Sequence, residues 1–158
     1  MRLYILRHGD AGPSQMGASD DARTLTETGR EEMRRIGRRL AGLGVDVDTI
    51  LTSPLPRARE TAKIVAEALG KPEALVVDHV LEPGCRPGDF QAAYQRHEAT
   101  RMMLVGHEPD LSTLIGWLTG GRVDLPKAGF ARLNGDFEMD RAALKWLLTP
   151  EVIAQSTG

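Results

Sequence analysis

The sequence predicts a three-layer α/β/α sandwich with a mostly parallel central sheet and an antiparallel C-terminal edge. Two patterns carry that expectation. Up to about residue 118, short apolar runs alternate with stretches whose apolar residues recur every three or four positions, which places helices on both faces of a largely parallel sheet. Beyond it, two apolar runs are separated only by a short polar stretch, the pattern of an antiparallel pair. No linker or internal repeat divides the 158 residues, so one domain over 1–158 is expected, with 155–158 a loose tail.

The elements follow in order. Leu3 to Leu6 is a buried-strand run ended by Arg7-His8-Gly9. Asp10 to Thr24 is polar and irregular; Thr26 then offers an N-cap, with Glu27 in the first turn of a helix. Met33, Ile36, Leu40 and Leu43 mark the buried face of that helix and Gly44 its stop. Thr49 to Thr52 forms a second strand, closed by Ser53-Pro54, and a helix over about 56–69 turns Ile64, Val65 and Leu69 inward. A strand over Ala74–Val77, a short helix over Phe90–Gln95, a wholly apolar strand over Met102–Val105 and a helix over Asp110–Leu118 complete the alternation. Phe130–Leu133 and Leu144–Leu147 are the two C-terminal strands.

Composition narrows the function. A formal net charge of −2 with no basic stripe argues against nucleic-acid binding, so any anion site must be local. The N-terminal apolar run is too short for a signal peptide, and no stretch of about 18 apolar residues occurs, so neither secretion nor membrane insertion is expected. Cys85 is the only cysteine, which excludes an internal disulfide and a multi-cysteine zinc site and favours a cytoplasmic setting.

Four residues stand where chemistry collects. Arg7 and His8 end the first strand, Arg57 follows the second and His107 the fourth; if these strands are parallel neighbours, all four side chains meet at the carboxyl edge of the sheet. Two guanidinium forks and two imidazoles suit a phosphoryl dianion. His8 is the expected nucleophile, with one ring nitrogen tied to a backbone carbonyl in the His8-Gly9 turn and the other free to attack. His107 is expected to donate to the non-bridging oxygens in the transition state, while Gly9 and Gly106 let the backbone pass close by. No metal and no cofactor are expected, since two fixed positive charges oppose a divalent cation.

These residues resemble the signatures of the histidine phosphatase, or phosphoglycerate mutase-like, superfamily, and within it the small SixA-type phosphohistidine phosphatase branch. Leu6-Arg7-His8-Gly9 is similar to its first block, Ser53-Pro54-Leu55-Pro56-Arg57-Ala58-Arg59-Glu60-Thr61-Ala62 to its second and Val105-Gly106-His107-Glu108-Pro109 to its third. The resemblance implies His8 as nucleophile, Arg7 and Arg57 as phosphate clamps and His107 as second pocket histidine. Arg23, in the segment Asp20 to Gly29, is implied as a contact to the phosphate or its carrier.

Many relatives that cleave phosphate esters carry an acid after the third strand, where this chain reads Val80-Leu81-Glu82-Pro83-Gly84. Pro83 aligns with the acid. Glu82, one residue away, is the candidate general acid, with Asp10 and Glu108 as weaker ones. An imidazole leaving group needs less protonation than an alkoxide, so a pocket without a placed acid favours phosphohistidine in a phosphotransfer domain or phosphocarrier protein. The alternatives are a phosphatase of small phosphorylated metabolites and a module that binds phosphate without turnover.

Overall fold

The structure is a computed structural model and describes residues 1–14 and 16–156. Six strands form one mixed sheet: β1 (Arg2–Arg7), β2 (Thr49–Thr52), β3 (Leu75–Val77), β4 (Arg101–Gly106), β5 (Phe130–Gly135) and β6 (Ala142–Leu148). Their order across the sheet is β3-β2-β4-β1-β5-β6. β3, β2, β4 and β1 run parallel, and β5 and β6 add the antiparallel edge.

Strand alternation separates the core into two layers of helix packing. From β1, Tyr4 and Leu6 point to one face, with Met33, Ile36 and Leu40 of α1 (Glu27–Gly42), Ala62 and Val65 of α2 (Pro56–Ala68), and Ile153 of α5 (Pro150–Gln155). Leu3 and Ile5 point to the other face, with Phe90 and Ala93 of α3 (Pro87–His97) and Leu111, Leu114, Ile115 and Leu118 of α4 (Asp110–Thr119). Both faces are covered, as a parallel sheet requires, and the three expected layers are present.

Local chemistry explains the boundaries. The Thr26 side chain accepts from the Gly29 N–H and starts α1; Pro56 occupies the first turn of α2, where its missing N–H costs nothing. Several expectations shift. Leu43 is 37% exposed, because α1 ends at Gly42 and the chain leaves the buried face there. Ala74 belongs to a 3-10 turn over Pro72–Ala74, not to β3. α3 starts earlier than its apolar residues indicate, because Pro87 and the Asp89 carboxylate, which accepts from the Arg86 N–H at 2.9 Å, build an extra first turn. Gln155 closes α5, and Ser156 donates its hydroxyl to the Ile153 carbonyl; Thr157 and Gly158 lie outside the described residues. Among the described residues no helix is long and apolar enough to cross a membrane.

The topology fixes where a ligand can sit. α1 and α2 lie on one face and α3 and α4 on the other, so the chain leaves adjacent strands β1 and β4 towards opposite faces. A crevice opens between strands that diverge in this way, beyond their carboxyl ends.

Candidate active site

Every strand that borders this crevice ends in a polar residue. His8 follows β1, with its N–H donating to the Gly106 carbonyl at 3.2 Å and its carbonyl accepting from the Ala128 N–H at 3.1 Å. Ser53 follows β2 and His107 follows β4; the Ser53 N–H donates to the Val105 carbonyl at 3.1 Å. Arg57 stands in the first turn of α2. His8, Arg57 and His107 are only 6%, 4% and 3% exposed, so the backbone holds polar groups that burial would otherwise exclude.

The turn after His8 is tightly built. The Gly9 N–H donates to Thr61 Oγ1 at 3.0 Å, and Thr61 donates to the Arg57 carbonyl at 2.8 Å, which couples the β1 turn to α2. A Cβ on Gly9 would come within 2.9 Å of Met33 Cγ, so the packing of α1 excludes a side chain there. At Gly106 the three atoms nearest to an added Cβ all belong to Leu111, at ordinary contact distance.

His8 Nδ1 lies 2.7 Å from the Gly9 carbonyl oxygen. A carbonyl only accepts, so Nδ1 carries the proton and Nε2 is left with its lone pair. Burial is the main cause that pushes His8 down to about 4, against the Gly9 carbonyl, and the charges of Arg57, Arg7 and Arg23 push in the same direction as burial. Burial, His8, Arg57 and Arg7 hold His107 at about 3. Both rings are uncharged at neutral pH, with centroids 5.3 Å apart.

One cleft of about 300 Å³ is lined by Arg7, His8, Arg57, His107 and Arg23 together. The Arg7 Nη1 donates to the Leu125 carbonyl at 3.0 Å and the Arg57 Nη1 to the Asp20 carbonyl at 3.1 Å. Arg7 Nε, Arg57 Nε and His107 Nδ1 are buried without a hydrogen-bond partner. Unpartnered buried polar atoms are uncommon, and these three belong to side chains that line one cleft. Among the described residues no group of three His, Cys, Asp or Glu side chains is placed to hold a metal ion.

Arg23 reaches the cleft through two supports. Its guanidinium donates to the Gly12 carbonyl and pairs with Asp20 at 2.8 Å, while Glu60 of α2 accepts from the Leu25 N–H and holds the segment down. Glu82 is placed elsewhere: its carboxylate lies 2.9 Å from His79 Nδ1, and Pro83 lines the cleft in its stead. The Gly84 and Cys85 N–H groups both donate to Asp110, which fixes Pro83 in that position. Asp10 pairs with Lys127 at 3.1 Å and does not line the cleft; Glu108 does, with one oxygen accepting from the Ser112 N–H. Asp20 and Ser53 are the functional neighbours that sequence reasoning overlooks, since their partners are 37 and 54 residues away.

The model of the histidine phosphatase superfamily (branch 1) matches residues 3–83, just over half of the chain. The chain belongs to this superfamily. Among the family's proteins it is similar to an uncharacterised protein of Picosynechococcus, 39% identical over 85% of each chain. It is also similar to the phosphohistidine phosphatase SixA of Escherichia coli, 28% identical over 95% of this chain and 94% of that one. The structure of a protein histidine phosphatase SixA complexed with tungstate superposes with a TM-score of 0.85 at 28% identity, covering 95% of this chain and 97% of the other.

A superfamily member with two buried neutral histidines pays for them in acid. The unfolded chain binds a proton at each histidine near pH 6.5, whereas folded His8 and His107 do so only near 4 and 3. Stability from this source is complete above pH 6.5 and is lost as the pH falls below it, because the unfolded state then holds more protons. The melting temperature is therefore expected to fall between pH 6.5 and 4.5. A double variant His8→Gln, His107→Gln should show a flatter profile over the same window, and an equally steep profile would contradict the assignment.

Proposed function

We propose that this chain removes phosphoryl groups from phosphohistidine in a partner protein, a phosphotransfer domain or phosphocarrier, through a transient phosphohistidine on His8. The observation that carries the reading is the Nδ1 contact to the Gly9 carbonyl, which leaves a neutral Nε2 free within an arginine-lined cleft. Resemblance in sequence and fold to SixA supports the substrate class.

In the first step His8 Nε2 forms a bond to phosphorus as the P–N bond of the substrate breaks, and the substrate ring, already protonated on its other nitrogen, departs as neutral imidazole. Arg7, Arg57 and the His107 Nδ1 position supply donors for the three equatorial oxygens. His8 keeps its Nδ1 proton on the Gly9 carbonyl, so the phosphorylated ring is cationic and leaves as neutral imidazole when water attacks phosphorus in the second step. Inorganic phosphate is released and the starting tautomer returns.

The leaving group favours this substrate. Protonation of an alkoxide by a general acid contributes about 10²–10⁴ in rate; Pro83 lines the cleft where the family resemblance implies such an acid, and of the carboxylates that line it Glu108 accepts from the Ser112 N–H and Asp20 pairs with Arg23. Departing imidazole needs little such help. We assign no acid role to Glu82, which lies beside His79; the fixed charges of Arg7 and Arg57, which oppose a divalent cation, favour a metal-free reaction, and the likeness to SixA favours a cytoplasmic signalling or phosphocarrier protein as the partner.

The test is a comparison of initial rates on a histidine-phosphorylated phosphotransfer domain and on small phosphate esters, with and without a chelator. Turnover of the phosphoprotein is expected, unaffected by the chelator and unchanged in Glu82→Gln. Hydrolysis of the esters alone, with a steep loss in Glu82→Gln, would overturn the reading in favour of a metabolite phosphatase. Phosphate binding with no turnover of either would identify a binding module.

A further inference from the structure

We infer that Ser53 is a positioning residue that fixes the tautomer of His107, so that a neutral imidazole presents Nδ1–H to the phosphoryl oxygens. The inference rests on the phosphoryl-transfer reading of the site and adds to it a residue 54 positions away from the ring it controls.

Ser53 is fully buried at the carboxyl end of β2, beside β4. Its hydroxyl oxygen has two neighbours. The Leu55 N–H donates to it at 3.2 Å, and His107 Nε2 lies 2.8 Å away. A hydroxyl has one proton to give, and Leu55 N–H cannot receive it. Among the described residues, His107 Nε2 is the remaining partner of this oxygen. The proton therefore goes to Nε2, which must be the bare nitrogen. In the reverse arrangement Nε2–H would donate to Ser53, and the buried hydroxyl proton would have no acceptor.

With Nε2 bare, the ring proton is on Nδ1, the buried atom that has no partner of its own. His107 lines the cleft, and its ring centroid is 5.3 Å from that of His8. The other tautomer would turn a lone pair on Nδ1 towards the oxygens of a dianion, which is repulsive. Because the ring stays neutral until about pH 3, its donor is preorganised and does not depend on titration near neutrality. Leu55 thus acts at two removes: its N–H orients the hydroxyl, the hydroxyl orients the ring, and the ring meets the substrate.

The test begins without substrate. In the ¹⁵N spectrum of the unsubstituted protein at pH 7, His107 is expected to be protonated at Nδ1 and bare at Nε2, and the opposite assignment overturns the inference. Because that measurement involves no turnover, it is read independently of whether the protein hydrolyses phosphohistidine. In Ser53→Ala the ring should shift towards Nε2–H, and kcat on the phosphohistidine substrate should fall about tenfold with KM within about twofold, as for partial loss of one transition-state donor. Ser53→Thr, which keeps a hydroxyl, should retain the Nδ1–H signature and recover kcat relative to Ser53→Ala. A folded Ser53→Ala with unchanged tautomer and unchanged kcat overturns the positioning role.

Discussion

His8→Ala is expected to lower turnover by at least about 10⁴-fold, since removal of a nucleophile that acts covalently eliminates the two-step route and leaves only what binding alone supplies. The same variant should trap no labelled phosphate after a neutral or alkaline quench, whereas the unsubstituted protein should carry label on His8. Folding should survive, because the two contacts that anchor this turn to Gly106 and Ala128 are made by the backbone of residue 8 and do not need its side chain. A matched circular dichroism spectrum therefore separates loss of chemistry from loss of structure. Retention of label elsewhere on a folded His8→Ala protein would remove His8 from the nucleophile's place.

That His8 can be singled out from sequence has a physical reason. A wholly buried strand such as Leu3 to Leu6 is visible as an apolar run, and in a parallel sheet the residue just past such a run lies at the ligand edge. The same logic placed Arg7 and His107, and it extended to Arg57 because Pro56 marks a helix start directly after β2. What the sequence did not display are contacts between distant segments. Ser53 read as an ordinary turn residue, and nothing within its neighbourhood signals that His107 will pack against its hydroxyl. Asp20 sits in a polar, irregular stretch; only folding brings its carbonyl to Arg57 and its carboxylate to Arg23.

Short elements carry little periodic signal. α5 is six residues long, too few for a periodic apolar signal, although Thr149 caps it and Ile153 is buried in the core layer that α1 covers. Glu82 illustrates a different limit. The segment reads as extended, but it folds as a 3-10 turn over His79–Leu81 that Glu82 closes, which brings the Glu82 carboxylate back to His79 three residues earlier and leaves Pro83 on the cleft.

Arg57→Ala is expected to reduce kcat/KM by about 10²–10³-fold, the scale for loss of one preorganised charged donor at a transition state. Arg57 is 4% exposed; its Nη1 and Nη2 are held by the Asp20 carbonyl and carboxylate, while its Nε has no acceptor within the protein. Arg57→Lys keeps the charge and loses the planar fork, so it should recover only part of the rate. The two variants differ in a second observable. Burial is the larger cause that holds His8 at about 4, but the Arg57 charge adds to it. Removing that charge makes protonation of His8 easier, so its titration midpoint should rise in Arg57→Ala and stay near the original value in Arg57→Lys. A midpoint that rises equally in both variants would trace the shift to altered burial and not to charge. An unchanged kcat/KM in Arg57→Ala would show that the orphaned donors of this cleft do not serve the phosphoryl group.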